Sequence, residues 1–326
     1  MDITYTEKLG RLSKLVGNTP TLSIECIVEG KRRHIFVKYE SVNYSGSIKD
    51  RIVLEILKFA HLTGEINDKT TLVEATSGNT GISLAAMGAY LGIPVQIYMP
   101  NWLSEERKRI LQLYGAELVE IGVEEGGFQR CIELAEEKSQ KKGFFCTKQF
   151  DNQINVQAHL KSTAPELDMA LRASGNGNLD IFVAGAGTGG TVMGFHHYFS
   201  QKNDDFVAHA LFPDKNEDGA HRIEGIGDSF VPKILDLAQL GETIRVSDAD
   251  AINVSRQLNR LGLSVGISSG ANLFAAAFKA AEFRHSTKVA TVFADNNSKY
   301  LTTDLCSNTP EPLSSPIKVV NYELIA

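Results

Sequence analysis

Three short stretches hold the residues whose types and spacing can do chemistry. In Ser45-Gly46-Ser47-Ile48-Lys49-Asp50-Arg51, a loop of small residues delivers one lysine and runs into the apolar segment Ile52-Val53-Leu54-Glu55-Ile56-Leu57. At a helix N-terminus the positive end of the macrodipole disfavours an ammonium, and Arg51 adds to the effect. Lys49 is therefore a candidate amine nucleophile, against the plainer reading of a solvated surface charge. The second stretch, Thr76-Ser77-Gly78-Asn79-Thr80-Gly81, joins an apolar strand to an uncharged helix. Hydroxyls and amides at a helix start form an anion site suited to a carboxylate, although N-capping by Ser77 or Thr80 would account for the same residues. The third, Gly185-Ala186-Gly187-Thr188-Gly189-Gly190-Thr191, also follows a strand. Its successive amides can converge on a phosphate. The spacing Gly185-x-Gly187-x-x-Gly190 equally satisfies a dinucleotide fingerprint, with Asp204, Asp205 and Asp214 as loosely placed acids.

Such loops need rigid elements to aim them. Apolar, β-branched runs recur at Ile35-Phe36-Val37, Thr71-Leu72-Val73, Val95 to Met99, Leu118 to Ile121, Ile181 to Ala184, Val207 to Phe212 and Val289 to Phe293. Helical patterns lie between most of them, among them Glu105 to Tyr114, Phe128 to Lys141, Ala249 to Leu261 and Ala271 to Arg284. Doubly buried strands alternating with helices predict an α/β fold of mainly parallel sheets flanked by helices. Gly115, Gly143 and Gly262 read as helix stops, and Ser247 as an N-cap. Asn308 to Pro316 carries three prolines and reads as extended, while Ile317 to Ile325 is either a late strand or a docking arm.

With 326 residues and 43% hydrophobic content the chain can build two domains, and a net charge of -6 without a basic run argues against nucleic acid. The N-terminus lacks the blocks of a secretory signal. The uncharged stretch Ala75 to Ser104 is broken by glycines, a proline and polar residues, so it reads as a buried helix and strand rather than a membrane span. Cys26, Cys131, Cys146 and Cys306 show no metal-ligand spacing, which fits a reducing cytoplasm and no metal. His196 and His197, being adjacent, cannot face one site.

Taken together and in order, the GS-x-KDR lysine, TSGNTG and GTGGT segments resemble the fold-type II pyridoxal-phosphate enzymes, within them the cysteine synthase and cystathionine β-synthase family. The likeness runs from about Leu15 to about Leu305. It implies a two-domain, tryptophan synthase β-like fold, with a smaller mobile domain over residues 46–155, a larger phosphate-binding domain from 1–45 and 156–307, and a tail over 308–326. It further implies that Lys49 forms the Schiff base with pyridoxal 5'-phosphate and serves as general base. The phosphate would lie in Gly187, Thr188, Gly189, Gly190 and Thr191, and Asn79 would bond the ring hydroxyl oxygen. Thr76, Ser77, Gly78, Thr80 and Gln149 would hold the substrate carboxylate, with Gly225 lining the substrate site. Members are usually homodimers.

Two positions depart from the family pattern. Where a serine usually faces the pyridine nitrogen, the run is Phe293-Ala294-Asp295-Asn296-Asn297. Alignment gives the place to Asn296, a neutral partner that leaves the nitrogen unprotonated; a shift of one residue would give it to Asp295 and favour the pyridinium. In Glu224-Gly225-Ile226-Gly227-Asp228-Ser229, Asp228 stands where simple cysteine synthases have a small residue, and it is either a general base for the incoming nucleophile or a turn-former beside the pocket.

The resulting expectation is β-replacement on a serine-like amino acid, with cysteine synthesis from O-acetylserine and sulfide foremost. Desulfhydration of cysteine to hydrogen sulfide, cystathionine formation and diaminopropionate-type synthesis are the rivals within the family. Outside it stand a nicotinamide oxidoreductase, which leaves the lysine and asparagine loops without a role, and a non-catalytic scaffold, which leaves all three.

Overall fold

A computed structural model describes residues 4–214, 221–227, 230–307 and 316–325. In chain order the elements are α1 (Tyr5–Leu12), β1 (Thr21–Val28), β2 (Lys31–Tyr39), α2 (Lys49–Leu62), β3 (Thr71–Ala75), α3 (Asn79–Leu91), β4 (Val95–Pro100), α4 (Glu105–Leu113), β5 (Glu117–Ile121), α5 (Gly127–Ser139) and β6 (Phe144–Cys146). There follow α6 (Ile154–Ala158), α7 (Ala164–Ala173), β7 (Ile181–Gly185), α8 (Gly190–Phe199), β8 (Val207–Pro213), β9 (Ile244–Val246), α9 (Asp248–Arg260), α10 (Ile267–Glu282), β10 (Val289–Phe293) and β11 (Ile317–Leu324).

Local chemistry explains many of the boundaries. Ser247 caps α9 by accepting from Asp250 N, and Gly115, Gly143 and Gly262 have φ of 80, 88 and 89°, the left-handed conformation that glycine adopts without a Cβ penalty. β3, β4, β7 and β10 are buried along nearly their whole length, as strands covered on both faces must be.

The strands form two sheets. One has the order β5-β4-β3-β6 and is parallel throughout; the other has the order β11-β1-β2-β10-β7-β8-β9. In the larger sheet β1 pairs antiparallel with both β2 and β11, and the remaining pairs are parallel. Ile317 to Leu324 is thus an edge strand, which decides between the two readings of that segment. Apolar side chains of α9 and α10 cover one face of the larger sheet, and those of α7 and α8 the other. Leu9, Leu12 and Val16, at the start of the chain, pack into the core of the smaller sheet beside Ile52, Leu57, Leu72 and Ile97.

Strand order locates the crevices. In the smaller sheet the chain leaves β3 toward β4 on one side and returns as β6 on the other; in the larger sheet β8 and β10 flank β7 in the same way. Crossovers to opposite sides leave a gap beyond the carboxyl ends of the strands, where ligands of open α/β sheets bind. β7 and β10 pair only at Ile181–Val289 and Phe182–Ala290 before they part. Asn272 of α10 spans the gap, its Oδ1 accepting from Gly185 N at 2.8 Å and its Nδ2 donating to Val292 O at 2.8 Å.

Candidate active site

One cavity lies where the two gaps meet, and Lys49, the first residue of α2, lines it. The loop before Lys49 is strapped to the segment that follows β10. Ile48 N donates to Ala294 O at 2.8 Å, Asn296 N to Gly46 O at 3.2 Å, and the buried Lys299 Nζ to Gly46 O at 2.9 Å. Asp50, fully buried, accepts from Ser45 N at 2.7 Å and from Ser83 Oγ at 2.6 Å. Behind it, Arg51 pairs with Glu40 at 2.7 Å and with Glu166 at 2.7 Å, and Lys38 joins Glu166 at 2.8 Å. Burial works against the ionised Glu166, yet the hydrogen bonds and charge of Arg51 prevail and hold its pKa down at about 2. The lysine is therefore mounted on a network of buried charges, costly to bury and costlier to break.

Thr76, Ser77, Asn79 and Thr80 line the cavity from the end of β3. The N-cap of α3 is Gly78, at φ 149°, with no side chain capping the helix, so Ser77 and Thr80 are not engaged as caps. Thr80 Oγ1 donates to Gln149 Oε1 at 2.6 Å and Gln149 Nε2 to Ala75 O at 2.9 Å, which ties the cavity-lining Gln149, just after β6, into the same wall. Gly78 itself does not line the cavity; it makes room for Arg107, whose Cδ would lie 2.4 Å from a Cβ at that position. Asn79 Nδ2 donates to Asp295 Oδ2 at 2.8 Å, and this fixes the amide orientation. Its Oδ1 is buried without a hydrogen-bond partner, so Asn79 presents a buried acceptor.

Gly187, Thr188, Gly189 and Thr191 line the facing wall. A Cβ at Gly187 would sit 2.2 Å from Gly225 O, and Gly189, at φ 86°, turns the chain into α8. Gly190 packs behind the loop, where a Cβ would lie 1.9 Å from Asn155 Oδ1. Gly225 lines the cavity as expected. Asp204, Asp205 and Asp214 are exposed and do not line it, so none of the three acids weighed for a dinucleotide site reaches this wall.

One expectation is corrected. Neither Asn296 nor Asp295 lines the cavity. Val292 and Ala294 do, and strict alternation would put Asn296 next, but the chain bends there. Asn296 becomes the N-cap of a short turn, its Oδ1 accepting from Ser298 N at 3.2 Å. Asp295 is buried beneath, bonded to Asn79 and, at 2.8 Å, to Tyr300 Oη. The serine on the wall is Ser268, in the first turn of α10. Asp228 lies outside the described residues.

Three further lining residues, Arg107, Glu224 and Phe150, carry no motif. Arg107, buried on α4, forms an ion pair with Glu224, stacks over Tyr300 at 4.7 Å and reaches Lys299 O at 3.4 Å. Burial raises the pKa of Glu224, and Arg107 opposes the rise. A pair drawn from distant parts of the chain has no sequence spacing to betray it, whereas the small polar run Gly266 to Gly270 was a signal for Ser268.

The cavity suits pyridoxal phosphate. It offers a lysine, an amide-rich glycine turn at a helix start and, in Asn79 Oδ1, a buried acceptor that a ring hydroxyl can satisfy. Residues 12–295 match the pyridoxal-phosphate dependent enzymes, and the chain belongs to that family. Within it the chain is 41% identical to cysteine synthase B of Campylobacter jejuni over 90% of its own length and 98% of the relative's. It is similar to a hydrogen sulfide-producing enzyme of Fusobacterium nucleatum, with a TM-score of 0.91 at 40% identity over 98% of this chain and all of the other. Cysteine synthase of Entamoeba histolytica superposes with a TM-score of 0.82 at 31% identity, covering 92% and 91% of the two chains. The protein is a cysteine synthase-like β-replacement enzyme with a tryptophan synthase β-like fold.

Proposed function

We propose that this cavity makes cysteine from an O-acylated serine and sulfide, with acetate leaving and hydrosulfide adding at the same carbon. The convergence of Lys49, the Thr76–Thr80 loop with Gln149, and the Gly187–Thr191 turn on one cavity carries this reading. Bound there, pyridoxal phosphate supplies the aldehyde that takes up the amino group and the ring that withdraws electrons from Cα. Lys49 anchors the cofactor and, once released, moves the proton at Cα. Thr76, Ser77 and Thr80, with the Gln149 side chain behind them, hold the carboxylate. Thr188 and Thr191 join the glycine amides around the phosphate. Asn272 is engaged at both ends by backbone, so Ser268 is the neutral hydroxyl that the wall offers to a ring nitrogen.

The same residues suit the release of sulfide from cysteine, and the hydrogen sulfide-producing enzymes of Fusobacterium nucleatum favour this as a second reading. An Asp-to-Asn variant of one of them has been seen with an α-aminoacrylate intermediate. That supports Asp228 as the base for the second nucleophile here. A homodimer in a reducing cytoplasm completes the proposal. Among the described residues Cys26, Cys131, Cys146 and Cys306 form no disulfide, and no helix is long and apolar enough to cross a membrane.

Borohydride reduction of the yellow holoprotein should mark Lys49, and Lys49→Ala should lower turnover by at least about 1,000-fold. An unmarked Lys49 sinks the proposal. Feeding O-acetylserine with sulfide, then cysteine alone, and measuring cysteine and sulfide released separates the two readings.

A further inference from the structure

Asn155, on α6, is fully buried and lies behind the glycine turn without lining the cavity. Its Nδ2 donates to Gln149 O at 2.9 Å and to Thr188 Oγ1 at 2.9 Å. Gln149 O is a backbone carbonyl and can only accept, so the amide cannot be turned the other way. Thr188 Oγ1 receives a second hydrogen bond from Gly190 N at 3.3 Å. A hydroxyl oxygen has two lone pairs and one proton. With both lone pairs taken from behind, the remaining function of the Thr188 hydroxyl is to donate, and Thr188 lines the cavity.

From this geometry we infer that Asn155 is a positioning residue: it makes the Thr188 hydroxyl an obligate donor to the cofactor phosphate and couples that phosphate site to the substrate-carboxylate wall through Gln149. The coupling is a chain of hydrogen bonds, from Thr80 Oγ1 to the Gln149 side chain and from Asn155 to the Gln149 carbonyl and Thr188. One turn along from Asn155, the buried His159 touches the other threonine, its Nε2 lying 3.3 Å from Thr191 Oγ1. Asn155 Oδ1 is left buried without a partner against Gly190, a burial tolerated for the sake of where Nδ2 points. The inference rests on the reading of residues 187–191 as the phosphate site.

The test is the affinity ratio of pyridoxal phosphate to pyridoxal, which isolates the phosphate contribution. It is measured by stripping the full-length protein and reloading it under visible absorbance. Asn155→Asp keeps the shape but replaces the donor by an acceptor, turning the Thr188 proton backwards. Its ratio should fall by about 10- to 100-fold, the range for a hydrogen bond to a charged group, while pyridoxal affinity stays within about 2-fold. Asn155→Ala, which adds no charge, should lower the ratio by about 10-fold, so whichever of the two folds carries the test. Thr188→Val should match Asn155→Asp, and the double variant should be no worse than Thr188→Val alone. An unchanged ratio in the Asn155 variants, or multiplying losses in the double variant, overturns the inference and leaves the phosphate site standing. An unchanged ratio in Thr188→Val instead overturns the phosphate site itself. A rise of about 3-fold or more in the KM for O-acetylserine in Asn155→Ala at saturating cofactor, with kcat held, is expected from the link to Gln149; an unchanged KM removes the coupling.

Discussion

The two walls of the cavity are built from the same local device, a parallel strand ending in small polar residues that open a helix, and are held in opposite ways. The turn after β7 is braced from its own side by Asn272 and His159, both deep in the structure, while Asn155 ties it to Gln149. The turn after β3 is held largely by contacts that cross the cavity. Asn79 bonds Asp295, Arg107 pairs with Glu224, and Ser104 Oγ on the approach to α4 donates to Lys299 O at 3.1 Å. Bonds on one side of a cleft survive its opening, whereas bonds across it must be broken and remade. Under the proposed function, the difference makes the turn after β7 the floor for the cofactor and the turn after β3 the wall that answers the substrate.

Paired glycine substitutions test that division most severely. A methyl on Gly187 meets a backbone carbonyl, which cannot step aside, so Gly187→Ala should raise the cofactor dissociation constant by roughly 100-fold or more, read as loss of visible absorbance on dialysis. At Gly78 the methyl meets the Arg107 side chain, which can swing, though the φ of 149° adds strain of about 1–3 kcal/mol. Gly78→Ala should keep its cofactor and raise the KM for the amino acid by roughly 10-fold. Equal loss of cofactor in both variants would erase the distinction between floor and wall.

Arg107→Met sharpens the same point. It leaves Glu224 facing the cavity without its partner, and breaking a buried pair costs about 3–5 kcal/mol, here toward the lower end because the Glu224 side chain is 25% exposed. Burial already holds Glu224 above the ordinary carboxylate range, so without Arg107 it can take a proton as pH falls, and the stability loss should shrink from pH 8 toward pH 5. Urea unfolding of both proteins at the two pH values checks this, and cofactor affinity within about 2-fold of wild type is expected alongside.

How much of this was legible in the chain divides along the same line. The three loops could be read because glycine, threonine and serine after a buried strand have few structural uses, and the strands themselves stand out as apolar runs. Ser268 was not found, since the apolar pattern of α10 becomes plain only at Ala271 while the helix begins at Ile267. Asn296 was misplaced because alignment to the family's serine carried it onto the wall, whereas Asp295-Asn296-Asn297 is turn-forming and Asn296 caps the turn instead of lining the cavity. The pair Arg107–Glu224 and the double role of Asn155 are properties of contact between distant segments. Amino-acid types set what such residues can donate or accept, but only the packing of one sheet against the other decides to whom.

Glu74 gives the smallest and most specific test of the movable wall. It is fully buried in β3 directly behind the carboxylate loop, its Oε1 accepting from Ala75 N at 2.9 Å and its other oxygen bonded to Thr147. Burial, outweighing those hydrogen bonds, lifts its pKa from 4.5 to about 7. The folded protein therefore keeps a proton on Glu74 through a window, from 4.5 to about 7, in which the unfolded chain has released its own. Stability must fall as pH rises through that window, by at most about 3.5 kcal/mol, and be flat outside it as far as this group is concerned. Glu74→Gln removes the titrating proton and should cancel that slope, so the difference in unfolding free energy between variant and wild type should move in the variant's favour between pH 4 and pH 8. Because Glu74 is bonded to Ala75 and Thr147, its ionisation bears on the wall and not on the floor. The KM for the amino acid should bend near neutral pH in the wild type and lose that bend in Glu74→Gln, while cofactor affinity shows no such inflection in either. A bend that persists in the variant would assign it to another group on the wall.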